Sequence, residues 1–454
     1  MAPGWQQHHG HSPSGGLGSA QSLRSLLEPA PSVQGGRRSE REPRALFHLL
    51  ILPLLFLFLL ASTEVADCEF VDDGPLKNVI TEWTDVCVIE FGHLHLAQLR
   101  VLKLIKDKRS NVNPVAAAAY AGHFVLRTFH WENQVRYDFL LQTQLRALNL
   151  TTRQKIQARQ FAIRVALPIV RNRVELVKGA LDFYEKVPSP PNGPPGVFQT
   201  GSPLGLHVVA AVGGSPPLIA DQPQAYGRFM PGLPPIPSPI YNADLKEVRL
   251  YGARNGSLRS KAQDEINEFF TAATTFAVLP KLGIIIAKKL LPSDTSIYDT
   301  AYVFAALAIG YYDVAIAVAW GKWTHYSWRP QTAIRQGDSQ NAPVPDWTAI
   351  AGTTIEPEYP SGYAAVAAVI KPALEDYLGT ENTTFFITTT VTGSSSNLTR
   401  TYHSLSQFAQ EIYDYRILIG AHFRFAVQAG QRVGNAVAED IVKRLRAEYY
   451  GKSY

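Results

Sequence analysis

The spacing of apolar residues along most of this chain is that of amphipathic helices. Between about residues 76 and 187, apolar positions recur every three or four residues, in TDVCVIEFGHLHLAQLRVLKLIKDK and again in TTRQKIQARQFAIRVALPIVRNRVELVKGALDFYEK. The same spacing resumes near residue 240 and continues into the C-terminal segment RFAVQAGQRVGNAVAEDIVKRLRAEYY. Strand-like alternation is scarce, and no internal repeat is evident. The pattern therefore predicts a mainly α fold, a helical bundle.

One predicted helix is apolar on nearly all sides. Its sequence is SDTSIYDTAYVFAALAIGYYDVAIAVAWGK, which ends at Lys322. Such a pattern is typical of the helix at the centre of a bundle. A membrane span is the competing interpretation, but Asp299 and Asp313 lie within the segment, and a carboxylate is unfavourable in lipid. We therefore expect a buried central helix.

Residues 188–240 contain 14 prolines and several Gly-Ser pairs, which interrupt the helical pattern. Apolar stretches such as LHVVAAVGG recur inside this segment. An extended arm that wraps on the helical body would bury such stretches, whereas a mobile connection between two bodies would leave them in water. We predict the arm, and the mobile connection remains the alternative.

The N-terminal region is predicted to be a targeting segment. Residues 1–44 are rich in Gly, Ser, Pro, His and Arg, and residues 45–61 form an apolar run, ALFHLLILPLLFLFLLA. A basic flank followed by an apolar core is typical of a secretory signal, here cleaved near Ala61 or Ala66. A type II membrane anchor is the alternative, since the run is just long enough to span a bilayer. Either interpretation places the protein in the secretory pathway, secreted or membrane-anchored.

We divide the chain into a leader with its signal peptide or anchor (1–66), an N-terminal helical region with the Pro-rich arm (67–240) and a C-terminal helical region (241–454). Passage through the secretory pathway would suit the chain's two cysteines, Cys68 and Cys87, which could pair in an oxidising compartment. It also suits four N-x-S/T sequons, which begin at Asn149, Asn255, Asn382 and Asn397. The sequence therefore predicts a glycoprotein, with the disulfide left open.

Composition narrows the functional classes. With 46% hydrophobic and 18% charged residues, the chain can bury a large core. The net charge of +5 is modest for 454 residues, and no basic block is interleaved with aromatic residues. A nucleic-acid partner is therefore not expected.

The chemistry of the chain is concentrated in three short segments. The first, GKWTHYSWRP, places Lys322 and Arg329 seven residues apart, so on one helix they would lie on the same face, two turns apart. Pro330 is expected to end that helix beside the arginine. Lysine and arginine are the cations that replace water around a buried anion, as a point charge and as a planar fork.

The second and third segments, PEYPSGY and YRILIGAHFRF, add a helix start and an imidazole. Ser361 and Gly362 are expected to open a new helix, whose free N–H groups favour an anion. Arg416 follows a capping-box sequence that begins at Ser404, and a break at Gly420 is expected to place His422 beside the next helix. Together the three segments can hold a multiply charged tetrahedral or trigonal oxyanion.

In order, the segments resemble the three-part signature of the vanadium haloperoxidase and type 2 phosphatidic acid phosphatase superfamily, K-x6-R-P, P-S-G-H and S-R-x3-G-x-H. The flanking sequences WRPQTAIRQGD and EPEYPSG are similar to the haloperoxidase branch. The resemblance extends diffusely from about residue 75 to about residue 445. It implies a helical bundle of that type. It also implies a vanadate cofactor bonded to His422 as metal ligand and held by Lys322, Arg329, Ser361, Gly362 and Arg416.

For function, the resemblance implies oxidation of a halide by hydrogen peroxide, with Lys322 as the polarising charge. The first alternative is an acid phosphatase, with no cofactor, in which His422 attacks a phosphate ester and forms a phosphohistidine. The second is a catalytically inactive secreted homologue that still binds an oxyanion. The halide and the natural substrate are not specified by these motifs.

Three departures from the signature bear on activity. Tyr363 replaces the histidine that shuttles protons, and a tyrosine with a pKa of about 10 does not exchange protons readily near neutrality. Tyr415 replaces the serine before Arg416, and Ala426 replaces an aspartate beyond the last histidine. We expect Tyr363 to line the pocket. Asp414 and Glu411 are candidates for the missing carboxylate, a choice that their spacing alone does not decide. His325, three residues after Lys322, is the candidate for an alternative proton path.

Overall fold

The computed structural model of the chain describes residues 69–87, 90–186, 193–199, 208–271, 278–352, 356–390 and 397–451. These residues all belong to one compact unit, Leu50–Tyr454. The predicted leader, the apolar run at 45–61 and Cys68 lie outside the described residues, so the targeting, anchoring and disulfide predictions stay predictions. Cys87 is buried.

The described residues confirm the mainly α fold. Its helices are α1 (Val79–Val86), α2 (Phe91–Asp107), α3 (Pro114–Phe129), α4 (Gln134–Ala147), α5 (Thr152–Lys186), α6 (Val208–Gly213), α7 (Pro239–Tyr251), α8 (Lys261–Thr271), α9 (Val278–Leu290), α10 (Ile297–His325), α11 (Pro330–Gln336), α12 (Gly362–Leu378), α13 (Leu405–Leu418) and α14 (Arg424–Tyr450). Short 3-10 helices cover Trp131–Asn133 and Pro223–Phe229. Helix α10 packs against α2, α12 and α14, so helices from both halves of the chain share one core.

A small sheet was not expected from the sequence. Strands β1 (Glu69–Phe70), β2 (Phe385–Thr390) and β3 (Asn397–Tyr402) form an antiparallel sheet in the order β1-β2-β3. In β2 every second side chain is buried, and Ile387 is fully buried. The short, threonine-rich strands carry too few apolar residues to stand out in a helix-dominated sequence.

Helix α10 is the buried central helix that its apolar pattern predicts. Among helices in the described part of the chain, it is the one long and apolar enough to cross a membrane, and 83% of that apolar window is buried inside the protein. Ser296 caps its N-terminus by accepting the N–H of Asp299 at 3.1 Å. The burial agrees with a core helix.

The described parts of the Pro-rich segment (193–199 and 208–240) lie on the helical body, as the arm interpretation predicts. The Asp313 carboxylate in the middle of α10 accepts the N–H groups of Leu218, Ile219 and Ala220 at 2.7, 3.0 and 2.8 Å. Earlier in the arm, Phe198 N–H donates to the Tyr326 carbonyl at 2.9 Å. The arm is therefore bonded both to the middle of α10 and to the segment that follows it.

The arrangement of Lys322 and Arg329 differs from the prediction of a shared helical face. Helix α10 ends at His325, and Tyr326 adopts a left-handed conformation with φ of 49°. Arg329 is extended and precedes α11, which Pro330 begins rather than ends. Proline is favourable at a first helical position, where its missing N–H is not needed, and it disfavours helix in the residue before it. The two cations therefore reach the site from separate elements.

Two other expected helix starts are confirmed. Ser361 is the N-cap of α12, and Ser404 is the N-cap of α13, accepting the Gln407 N–H at 3.0 Å. Gly420 follows α13 with φ of 73°, a conformation that glycine adopts without strain. The chain then turns so that His422 lies just before α14.

Helices α12 and α14 approach closely at two glycines. A Cβ atom at Gly430 would overlap the carbonyl oxygen of Ser361, and one at Gly434 would overlap that of Ala365. The small residues therefore let the α14 backbone lie directly against the first turns of α12. This contact sets the position of the α12 N-terminus.

Candidate oxyanion site

Lys322 brings a buried ammonium group from the last turns of α10. The residue is 1% exposed, and its Nζ donates to the carbonyls of Pro357 and Glu358 at 2.7 and 3.3 Å. Burial lowers the pKa of Lys322 to about 8, although Glu356 opposes the shift. The first predicted segment is thus bonded to the second.

Arg329 joins the second segment to the third. Its Nε donates to the Glu356 carbonyl at 2.9 Å, and its Nη1 donates to the Ala421 carbonyl at 2.9 Å. The same Nη1 lies 3.1 Å from Nε2 of His422. The Arg329 guanidinium therefore connects its own segment to the segments that contain Glu356 and His422.

His422 is 1% exposed. Since arginine can only donate, Nε2 accepts from Arg329, which assigns the ring proton to Nδ1. Nδ1 lies 3.1 Å from Oε1 of Glu358, and the same oxygen accepts the Phe423 N–H at 2.8 Å. Burial, together with the nearby Arg329, Lys322 and Arg416, holds the pKa of His422 well below its usual value. Its Nε2 lone pair is therefore directed toward the cations.

Glu358 contacts the candidate site, and the sequence interpretation missed it. It is fully buried, and burial raises its pKa to about 8, so the carboxyl keeps its proton at neutral pH. Its Oε2 is buried without a hydrogen-bond partner in the described part of the chain. Because Oε1 accepts two hydrogen bonds, the proton belongs on Oε2. The acidic sequence EPEYPSG was the available signal, but the contact of Glu358 with His422 depends on the fold.

The two candidates for the missing carboxylate, Asp414 and Glu411, are bonded to arginines and not to His422 among the described residues. Asp414 binds Arg424 at 2.9 Å, and Glu411 binds Arg400 at 2.7 Å. Their partners lie in β3 and at the start of α14, whereas Glu358 reaches the imidazole from the segment before α12. Spacing along one helix did not reveal a contact between residues 64 positions apart.

Arg416 is 7% exposed near the C-terminal end of α13. Its guanidinium carbon lies 4.0 Å from the centroid of the Tyr363 ring, a cation–π contact. Its Nε is buried with no hydrogen-bond partner among the described residues. Arg416 therefore keeps donor capacity for a further acceptor.

Glu356 places a carboxylate among these cations. Its Oε1 lies 3.2 Å from Nη2 of Arg329 and 3.6 Å from Nζ of Lys322. Burial alone would raise the pKa of Glu356, but Lys322, Arg329 and Arg416 outweigh burial and lower it. The carboxylate is therefore charged at neutral pH, and it too was missed from the sequence.

The remaining predicted site residues lie at the edge of this cluster. Ser361 is fully buried; its N–H donates to the carbonyl of Ala426 at 3.0 Å, and its Oγ accepts the Ala364 N–H at 3.5 Å. Gly362 is the first residue of α12. Tyr363 is the next residue, and its ring contacts the guanidinium of Arg416. His325 stacks edge-to-face on Tyr359 with ring centroids 4.8 Å apart. The structure thus directs His325 toward an aromatic ring, and its proposed proton role stays a prediction.

The fold is therefore a helical bundle in which buried lysine and arginine side chains lie close to one buried imidazole. Residues 302–451, which contain every predicted site residue, match a family model described as the VCPO second helical-bundle domain. The part of the chain that carries the candidate site is thus similar to that domain family, in agreement with the superfamily resemblance of the three motifs.

Solved structures agree in fold. The chain is similar to a structure described as the first bacterial vanadium-dependent iodoperoxidase, with 17% identity and a TM-score of 0.60 over 81% of this chain and 94% of the other. It is also similar to a bacterial vanadium-dependent chloroperoxidase. The holo form has 15% identity and a TM-score of 0.59, over 83% of this chain and 93% of the other. The apo form has 16% identity and a TM-score of 0.59, over 83% and 95%. No curated protein sequence matches significantly.

Proposed function

We propose that the site binds vanadate and that the chain is a vanadium haloperoxidase-like protein, which oxidises halide with hydrogen peroxide at a low rate. The observation that carries this proposal is the contact of 3.1 Å between Nη1 of Arg329 and Nε2 of His422. The contact brings the imidazole Nε2 to the buried guanidinium of Arg329, and Lys322 and Arg416 lie near enough to lower the pKa of the ring.

The donor set suits an oxyanion better than a bare metal cation. In the described part of the chain, no group of three or more His, Cys, Asp or Glu side chains is arranged to hold a metal ion. Lys322, Arg329 and Arg416 would instead neutralise the oxygens of vanadate, and the start of α12 at Ser361 and Gly362 would face them. His422 Nε2 would be the protein atom bonded to vanadium. Bound vanadate would supply a Lewis-acid centre that activates peroxide toward halide.

The chain's own residues prepare this site in two ways. Glu358 fixes the ring of His422 and keeps its proton on Nδ1, so Nε2 carries no proton and would become a ligand once it gives up the hydrogen bond from Arg329. Lys322, with its pKa of about 8, is mostly protonated at pH 7 and supplies a positive charge in a buried setting. Such a preorganised charge stabilises negative charge that develops on oxygen.

We infer that proton transfer limits the rate of turnover. Burial raises the pKa of Tyr363 above its ordinary value, so the phenol holds its proton throughout the neutral range. Absence of a positioned acid–base group typically reduces rates by about 10²–10⁴-fold. Burial also lowers the pKa of His325, which faces Tyr359. We therefore infer that oxyanion binding is retained while turnover is slow.

The test combines binding with turnover. Calorimetric titration of the purified protein with orthovanadate should show saturable binding that Lys322→Met and His422→Ala weaken. The vanadate-loaded protein should oxidise bromide with peroxide, and Tyr363→His should be faster than wild type. Circular dichroism of each variant controls for folding. An unchanged rate in Tyr363→His would remove Tyr363 from the mechanism.

The same assays separate the alternatives. Hydrolysis of p-nitrophenyl phosphate without added vanadate, dependent on His422, would replace the haloperoxidase proposal with a phosphatase. Saturable vanadate binding with neither activity would identify a non-catalytic oxyanion-binding homologue. Absence of vanadate binding would overturn the assignment of the site itself.

A further inference from the structure

We propose that the Glu356 carboxylate is an internal ligand of the oxyanion site, which an incoming oxyanion displaces and which thereby selects for multiply charged anions. This inference rests on the proposed oxyanion site and concerns how that site discriminates among ligands.

The geometry of Glu356 is that of a bound anion. Its Oε1 lies 3.2 Å from Arg329 Nη2 and 3.6 Å from Lys322 Nζ, so one oxygen interacts with two of the cations proposed to hold the ligand. A charged hydrogen bond from Arg329 and an ion pair with Lys322 are contacts that an oxyanion would make with the same groups. Carboxylate and external oxyanion therefore compete for the same groups.

The side chain of Glu356 can leave without unfolding its segment. Arg329 Nε holds the backbone carbonyl of Glu356 at 2.9 Å, so the main chain stays anchored when the side chain turns. The Glu356 side chain is 27% exposed, whereas those of Lys322 and Arg329 are 1% and 8% exposed. Rotation toward the exposed side would rehydrate the carboxylate and leave the buried cations facing the ligand.

The competition favours ligands that carry several charges. A monoanion would replace one carboxylate charge by another and gain little, while a dianion or trianion interacts more strongly with Lys322, Arg329 and Arg416, whose Nε has no hydrogen-bond partner among the described residues. Removing the carboxylate should therefore tighten binding of phosphate by about 10- to 100-fold, the range expected for one hydrogen bond to a charged group. It should also weaken the preference for multiply charged over singly charged anions.

The experiment is calorimetric titration of the full chain with inorganic phosphate and, separately, with nitrate. The variants are Glu356→Gln, Glu356→Asp and the control Glu439→Gln, which removes a negative charge from an exposed position on α14 about 20 Å along the helix from its start. We expect Glu356→Gln to bind phosphate at least tenfold more tightly, Glu356→Asp to fall between Gln and wild type, and Glu439→Gln to match wild type. Circular dichroism verifies folding.

Other outcomes distinguish the two proposals. Lys322-dependent phosphate binding that is the same in wild type, Glu356→Gln and Glu356→Asp would overturn the role of Glu356 and leave the oxyanion site intact. Equal tightening in Glu439→Gln would also overturn it, since net charge alone would then explain the effect. No phosphate or vanadate binding by folded wild type and both Glu356 variants would overturn the site and this inference together.

Discussion

Oε1 of Glu358 lies 3.1 Å from Nδ1 of His422 and accepts the N–H of Phe423 at 2.8 Å. A single buried carboxyl oxygen thus orients both the ring and the backbone that follows it. Position 426, where the family signature has an aspartate, carries an alanine whose carbonyl binds Ser361 instead. The imidazole therefore receives its carboxyl partner from a different segment than the signature suggests.

Glu358 should make stability depend on pH. Burial raises its pKa from 4.5 to about 8, so the folded state keeps a proton that the unfolded state releases. The free energy of unfolding should therefore fall as pH rises from 4.5 to about 8. His422 acts in the opposite sense, because its lowered pKa costs stability only as pH falls below 6.5. Between pH 6.5 and 8, the pH dependence of stability that this pair causes therefore comes mainly from Glu358.

We expect the unfolding free energy of wild type to decline by about 1–2 kcal/mol over that interval, and Glu358→Gln, which resembles the protonated acid, to lose this decline. Urea denaturation at several pH values measures the difference. Parallel pH profiles for wild type and variant would show that Glu358 does not titrate in this window.

Lys322 should make oxyanion binding depend on pH. Burial lowers its pKa to about 8, so the ammonium charge is lost as pH rises above that value, and affinity for the anion should fall. Sulfate is a suitable probe because its charge is constant over this range. Lys322→Met should bind sulfate about 10- to 100-fold more weakly and show a flatter pH profile. Calorimetric titration between pH 6.5 and 9.5 measures both, and an equally steep profile in the variant would assign the dependence to another group.

The two glycines of α14 should tolerate no side chain. Alanine in a helix is normally more favourable than glycine by up to about 1 kcal/mol, but here a Cβ would overlap the backbone of α12. We expect Gly430→Ala and Gly434→Ala to destabilise the fold by about 1–3 kcal/mol in urea denaturation. Gly232→Ala is the matched control, since no heavy atom lies within 4 Å of the place that its Cβ would occupy.

Gly430→Ala should also weaken oxyanion binding more than Gly434→Ala does, because its overlap is with Ser361, the N-cap of α12. Phosphate titration of the two folded variants compares them. Equal affinities would indicate that the position of the α12 N-terminus is not coupled to the anion.

Glycosylation tests the proposed passage through the secretory pathway. All four sequon asparagines, Asn149, Asn255, Asn382 and Asn397, are exposed in the structure. We expect the full chain expressed in a eukaryotic secretory host to lose mass on treatment with an N-glycosidase, and each Asn→Gln variant to lose part of that shift. A chain expressed without residues 1–66 should show no shift. An unglycosylated full-length product would contradict lumenal passage.

The helices and their N-caps could be predicted because both are encoded locally, whereas the candidate site residues came from the family resemblance. Ser361 and Ser404 cap helices next to themselves in sequence, and the apolar pattern of α10 matches its burial. The end of α10 could not be predicted this way, since Tyr326 turns into a left-handed conformation beside an arm about 130 residues earlier in the chain. Glu356 and Glu358 were missed for the same reason: their roles arise from contacts between distant segments.

The arm has a consequence for the anion site that lies beyond its own contacts. It is fastened at Asp313, nine residues before Lys322 on the same helix, and again at Tyr326, three residues before Arg329. The Pro-rich arm is therefore hydrogen-bonded close to both Lys322 and Arg329, which come from separate elements. Loss of the Asp313 contacts with the arm is expected to change the distance between Lys322 and Arg329. Affinity for a small anion would then change through a residue that does not touch the anion.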